Sequence, residues 1–204
     1  MKYSLELFSG SKIVSSVSSS LGFSSWSVDI NPKLKPSICC DLLDFDPCSL
    51  NLPFSFIWAS PDCRFFSRAG LSYHWQKSTI KYRQYSYSPL SCSAVNSLDL
   101  LHKTLDVIEF YSPDLWIIEN PIGRLRHIPM LKKFAPYRYS VNYQDWSHPF
   151  AKETDLYTNQ LFCFSSKKVQ RSGLGLSSVN SRFARSVVPA ALVKFIIEHA
   201  LFKN

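Results

Sequence analysis

The stretch "KYSLELFSGSKIVSSVSSSLGFSSWSVDI", Lys2 to Ile30, decides the fold. "KYSLELF" is a short apolar strand, and "SGSK" is a turn. Ile13, Val17 and Leu21 then recur at a four-residue spacing, one face of a helix, which Gly22 closes as a C-terminal cap. The serines at 15, 16, 18, 19 and 20 lower helix propensity and are expected on the outward positions. "SSWSVDI" reads as a second strand, and "NPKLKP" (31–36) breaks it.

The alternation continues outward from this unit. "SICCDLLDF" (37–45) offers a third strand or a turn, and "FSFIWAS" (54–60) a fourth strand. Leu98, Leu101, Leu105 and Ile108 form the clearest helical stripe, with Lys103, Asp106 and Glu109 away from it. "PDLWIIENP" (113–121) is a fifth strand, apolar and β-branched, stopped by Asn120-Pro121. Strands separated by helices predict an α/β fold, a mostly parallel sheet with helices on both faces. From Tyr137 the pattern changes. "YRYSVNY" and "TDLYTNQLFCF" read as short antiparallel strands, and "SSKKVQRSGLGLSSVNSRFARS" (165–186) as a polar loop. Pro189 opens a last helix with Leu192, Phe195 and Ile196 inward and Ala200 partly so. The expected division is a core over 1–135, a small antiparallel and loop region over 136–185, and a closing helix over 186–204, one domain overall.

Composition narrows the class. The 204 residues are 46% apolar and 19% charged, ordinary for a soluble globular chain with a full core. No run approaches the roughly 18–20 apolar residues of a membrane span, and "MKYSLELFSG" lacks the apolar core of a signal peptide. The expected compartment is the cytoplasm, of a host cell if the protein is viral. Six cysteines (39, 40, 48, 63, 92 and 163) show no Cys-x-x-Cys pair, so free thiols are expected, with neither disulfides nor metal. The net charge of +8 is segregated. No acid lies between Asp62 and Asp99, between Glu119 and Asp145, or between Asp155 and Glu198, while basic residues occur throughout all three stretches. Aromatics sit among the first set: Tyr73, Trp75, Tyr82, Tyr85 and Tyr87. Cations interleaved with stacking rings suit a nucleic acid.

Ligands of open α/β sheets lie off the carboxyl ends of the strands. Ser9-Gly10, Asp29, Asp41, Cys63 and Glu119 each follow or end an expected strand, so all five should share one sheet edge. In "FIWASPDCRFFSRAG" (56–70) the apolar run stops at Ser60-Pro61-Asp62-Cys63, and Arg64 and Arg68 follow. A thiol placed after the run and beside cations suits a nucleophile. The plainer alternatives are an incidental loop thiol at Cys63, a strand-end residue at Glu119, a turn cap at Asp29, and Asp44 or Asp46 in place of Asp41.

These segments resemble, in order, the motifs of the DNA (cytosine-5) methyltransferases, and of their compact phage-type members in "KETDLYTN" (152–159). "LELFSGS", "WSVDINP" and "CDLLDF" look like the three cofactor motifs, "ASPDCRFFS" like the nucleophile loop, "IIENP" like the Glu-Asn motif, and "ARSVVPAAL" like the final one. The resemblance implies a Rossmann-like S-adenosylmethionine-dependent methyltransferase fold. It implies S-adenosyl-L-methionine held by Phe8, Ser9, Gly10, Ser11, Asp29, Ile30, Asp41, Leu42, Pro61, Ser186 and Val187. It implies Cys63 as the thiolate adding to cytosine C6, with Arg64, Arg68 and the basic loop lowering its pKa. Glu119 would assist at N3, and Lys152 would support the base carbonyl. DNA, as a duplex with a flipped cytosine or as a single strand, is the implied partner. Arg64, Arg68, Lys77, Lys81, Arg83, Arg124 and Arg126 are the expected contacts.

Some positions depart from that pattern. Asp62 replaces the second proline of the nucleophile motif, and its charge disfavours a thiolate unless it pairs with Arg64 or Arg68. Lys12 stands where a further glycine would allow close approach to the cofactor. Ala151 stands where compact members carry a basic residue, and Asp145 at a position usually glutamine. The stretch 159–185 is short for a target-recognition region, which predicts limited selectivity, or selectivity from loops 70–97 and 160–184. One alternative is the same fold binding cofactor and nucleic acid without turnover. Another is methyl transfer to RNA; transfer to an exocyclic amine is disfavoured, since it needs no cysteine.

Overall fold

Seven strands make one sheet, in the order Ile38–Cys39, Phe23–Asp29, Lys2–Leu7, Phe54–Ala59, Leu115–Pro121, Glu153–Thr158, Tyr137–Asn142. The computed structural model describes residues 1–66, 71–77, 87–164 and 187–202. The strands are β1 (Lys2–Leu7), β2 (Phe23–Asp29), β3 (Ile38–Cys39), β4 (Phe54–Ala59), β5 (Trp75–Lys77), β6 (Tyr87–Pro89), β7 (Leu115–Pro121), β8 (Tyr137–Asn142) and β9 (Glu153–Thr158). The helices are α1 (Ile13–Ser20), α2 (Leu71–His74), α3 (Cys92–Tyr111), α4 (Pro129–Phe134) and α5 (Ala190–Leu201). β1, β2, β3, β4 and β7 pair in parallel, whereas β9 runs antiparallel to both β7 and β8. β5 and β6 form a separate antiparallel pair.

The central strands are mostly apolar because both faces are covered. Leu5, Leu7, Ile57, Ala59, Trp116 and Ile118 pack on one face against Leu101, Leu105 and Ile108 of α3 and Leu131 of α4. Their alternates Phe56, Trp58, Leu115 and Ile117 pack on the other, against Val14 of α1 and Leu192, Val193, Ile196 and Ile197 of α5. That period-two division is what a pleated strand between two helix layers requires.

Details differ from the sequence pattern. α1 turns Val14 and Ser18 inward, leaving Ile13, Val17 and Leu21 only partly covered. Ser15 also faces the protein, because its N–H and hydroxyl both donate to the buried Glu6 carboxylate (2.7 and 2.5 Å). A buried acceptor on β1 therefore outweighs the apolar spacing of α1 in setting its rotation. In α5, Val193 and Ile197 are buried, and Phe195 is only partly so. α3 starts at Cys92, capped by the Ser91 side chain on the Ala94 N–H, well before the leucine stripe. The third strand is only two residues, and the chain then turns through a 3-10 helix, Leu42–Asp44, capped by Asp41. β8 and β9 add to the main sheet itself. Among the described residues no helix is long and apolar enough to cross a membrane.

Candidate active site

The parallel register places the site. Ala59 of β4 pairs with Ile118 of β7, so Ser60–Cys63, leaving the sheet after β4, lie beside Glu119-Asn120 at the end of β7 on the carboxyl edge. Asn120 ties them together: its side-chain N–H donates to the Pro61 carbonyl at 2.9 Å in a fully buried setting. Because β9 is antiparallel to β7, its first residues return to that edge, with Pro121 opposite Thr154. Lys152, immediately before β9, reaches Glu119 with Nζ 3.2 Å from Oε1. The Tyr143 hydroxyl donates to the same oxygen at 2.7 Å. Glu119 is 4% exposed, Lys152 6% and Tyr143 0%. A buried pair of this kind gives up hydration for its attraction, so its presence asks for a reason beyond stability.

Cys63 stands within the field of this pair. Burial is the main influence and pushes its thiol up. The Lys152 charge pulls it down, while the Glu119 and Asp62 charges push it further up. The expected pull of Arg64 on the thiol is present but small, because Arg64 is engaged first of all by Asp62. Arg64 turns its guanidinium onto the Asp62 carboxylate, whose Oδ1 also caps the Arg64 N–H at 3.0 Å. The larger cationic pull on the thiol comes from Lys152. Asp62 does pair with Arg64, one of the two arrangements under which a carboxylate is tolerable there.

The loop is fastened along its length. The Trp58 indole donates to Ser60 Oγ at 2.9 Å, the Trp75 indole to the Phe65 carbonyl at 2.6 Å, and the Arg124 N–H to the Phe66 carbonyl at 2.6 Å. Arg124 is 6% exposed, with its guanidinium carbon 3.2 Å from the Tyr87 ring centroid. It thus braces the loop from beneath and is not an open surface cation, contrary to the expectation of a phosphate contact. Arg126 spends its donors on Asp155 and on Ser140 (2.9 Å). Arg68, Lys81, Arg83 and Ser186 lie outside the described residues, as does the side chain of Lys77.

A cavity of about 550 Å³ adjoins the loop. Phe8, Asp29, Ile30, Asp41 and Leu42 line it, with Asp62, Arg64 and Phe65 of the loop after β4 forming another wall. Ser9, Gly10, Ser11, Pro61 and Val187 are not on its lining. The role of Gly10 is in the turn: at φ +45° its N–H donates to Asp29 Oδ2 at 2.9 Å, while Asn31 N–H donates to Oδ1 at 2.9 Å. Phe8 (φ +58°) and Lys12 (φ +56°) adopt the same left-handed region without being glycine, which stores strain in this turn. Sequence reasoning missed the third wall, Cys92, Ser93, Asn96, Ser97 and Leu100 of α3. The available signal was Ser91 as an N-cap. It also missed Tyr143. Among the described residues no group of three or more metal-ligating side chains occurs.

Solved structures share this fold. They include an E. coli protein encoded within a prophage and described as a DNA modification methyltransferase (TM-score 0.52, 14% identity, 78% of this chain and 46% of that one). Others are S. pombe Dnmt2 methyltransferase (0.50, 16%, 78% and 50%) and Entamoeba histolytica methyltransferase EhMeth (0.53, 15%, 84% and 57%). The chain spans about half the length of these structures, between 46% and 57%. No protein-family model and no curated protein matches the sequence. The fold is the one these methyltransferase structures share.

Proposed function

We propose that this chain transfers a methyl group from S-adenosyl-L-methionine to C5 of cytosine in DNA, through a covalent adduct on Cys63. The observation that carries the proposal is the meeting of a thiol, a buried carboxylate and a buried ammonium at one sheet edge, beside a cavity sized for a small molecule. The cavity's residues fit the cofactor. Each Asp29 oxygen takes one backbone N–H and keeps a lone pair for ribose hydroxyls, while Phe8, Val28, Ile30, Leu42 and Leu100 offer apolar surface to an adenine. When bound, S-adenosylmethionine supplies an electrophilic methyl group on a sulfonium.

The chain's own residues prepare the base. Cytosine C5 is a poor nucleophile. The Cys63 thiolate adds to C6, forming an S–C6 bond, as Glu119 passes a proton to N3. The C5–C6 π electrons are thereby made available at C5, which becomes enamine-like. After methylation a base removes the C5 proton, the S–C6 electron pair returns to sulfur, and the N3 proton returns to Glu119. Lys152 holds the thiolate's charge and orients Glu119. The target must leave the duplex to reach this recess, and the net charge of +8 supports a polyanionic partner.

The test is transfer of a labelled methyl group to duplex and single-stranded DNA by wild type and by Cys63→Ser. Transfer lost in the variant supports the proposal. A second reading, cofactor and nucleic-acid binding without turnover, draws on the burial that pushes the Cys63 thiol up. No transfer by wild type, with cofactor bound, supports that one.

A further inference from the structure

The methyl-transfer proposal leaves open which Glu119 oxygen carries the exchanged proton and what holds the carboxyl still. We infer that Tyr143 is a positioning residue that fixes Glu119 so that Oε2 exchanges the proton with the base; this rests on the proposed transfer. Tyr143 is 0% exposed, so it does not touch the base itself. Its ring packs in the cluster that contains Phe56 and Trp58. Its backbone N–H donates to the Lys152 carbonyl at 3.0 Å, and its own carbonyl accepts from His148 N–H at 3.1 Å. The Lys152 ammonium lies 4.6 Å from the Tyr143 ring centroid. Tyr143 and Lys152 therefore reach Glu119 as one braced unit.

Both donors fall on Oε1, the hydroxyl at 2.7 Å and the ammonium at 3.2 Å. Among the described residues no hydrogen bond is made to Oε2. The protonated oxygen of a carboxylic acid is its weaker acceptor, so two donors on Oε1 place the proton on Oε2. Burial pushes the Tyr143 hydroxyl well above its ordinary range, so it stays a donor at working pH. The N3 proton thus leaves from Oε2 and returns to it. Without the hydroxyl, Oε1 keeps only the longer Lys152 contact at 3.2 Å, and the carboxyl is held less firmly.

The test is Tyr143→Phe, which keeps the ring, its packing and its contact with Lys152, compared with Glu119→Gln and the double variant. Tyr143→Phe is expected to lower kcat roughly 10- to 100-fold, part of the 10²–10⁴ that a general acid contributes. The KM for S-adenosylmethionine is expected to stay unchanged. In the Glu119→Gln background the same change should cost nothing further, because Tyr143 acts only through that carboxyl. Wild-type turnover with an undiminished Tyr143→Phe, or an equal further loss in the Glu119→Gln background, overturns the inference alone. No transfer by wild type overturns the methyl-transfer proposal and this inference with it.

Discussion

Glu6→Gln should stabilise the protein above neutral pH and leave it unchanged in acid. Glu6 lies in β1 at 6% exposure, accepting from Ser15 N–H and Oγ. Burial raises its carboxyl from 4.5 to about 7, against the opposing pull of those two hydrogen bonds. The folded chain therefore holds a proton that the unfolded chain releases. Below pH 4.5 both states are protonated and the group is neutral in the balance. As pH rises through the window from 4.5 to about 7 the unfolded state gains, and folding weakens. At about 1.4 kcal/mol per pH unit the full loss is about 3 kcal/mol. Glutamine keeps the acceptor oxygen without the charge. Urea unfolding of both proteins at pH 5 and pH 8, at equal ionic strength, checks this. The variant's gain over wild type should be larger at pH 8 by about 2–3 kcal/mol, most of the full loss. An equal difference at the two pH values would refute the reasoning, since it would mean that Glu6 titrates alike in both states.

Other perturbations read the active edge. Asp62→Asn removes a charge that pushes the Cys63 thiol up, so alkylation of Cys63 at pH 8, followed by peptide mass mapping, should quicken. The expected gain is roughly 1.4- to fivefold, the size of a solvent-screened charge of about 0.2–1 kcal/mol. Lys152→Met acts oppositely, slowing that alkylation, and leaves Glu119 buried without its ion pair. Its unfolding free energy should fall by about 3–5 kcal/mol. Asn120→Ala strips the Pro61 carbonyl of its buried donor. The expected cost is about 1–3 kcal/mol in denaturant unfolding.

The layered α/β fold was legible because β4 and β7 are mostly apolar runs bounded by turn residues, and helices between the strands imply parallel pairing. The carboxyl-edge rule then brought Cys63 and Glu119, far apart in the chain, to one place. Apolar spacing misjudged the rotation of α1, since it is silent about a buried acid on a neighbouring strand: Glu6 draws in Ser15, which looks like a surface residue. The electrostatics at Cys63 were hidden for a similar reason. Arg64 is adjacent in sequence but turns to Asp62, whereas Lys152 is remote and arrives only because β9 runs antiparallel to β7. Tyr143 and the start of α3 lie in segments whose residues look like ordinary core and cap, and their bearing on the site appears only when the chain is folded.

Trapping on DNA that carries 5-fluorocytosine tests the chemistry most directly. Fluorine at C5 cannot leave as a proton does, so a thiol that has added to C6 stays attached once methylation has occurred. With S-adenosylmethionine present, the wild type should form a denaturant-stable adduct whose cross-linked peptide contains Cys63, and Cys63→Ser should form none. Methylation of ordinary cytosine DNA without any such adduct, or an adduct that survives Cys63→Ser, would contradict the assignment of Cys63 as the nucleophile.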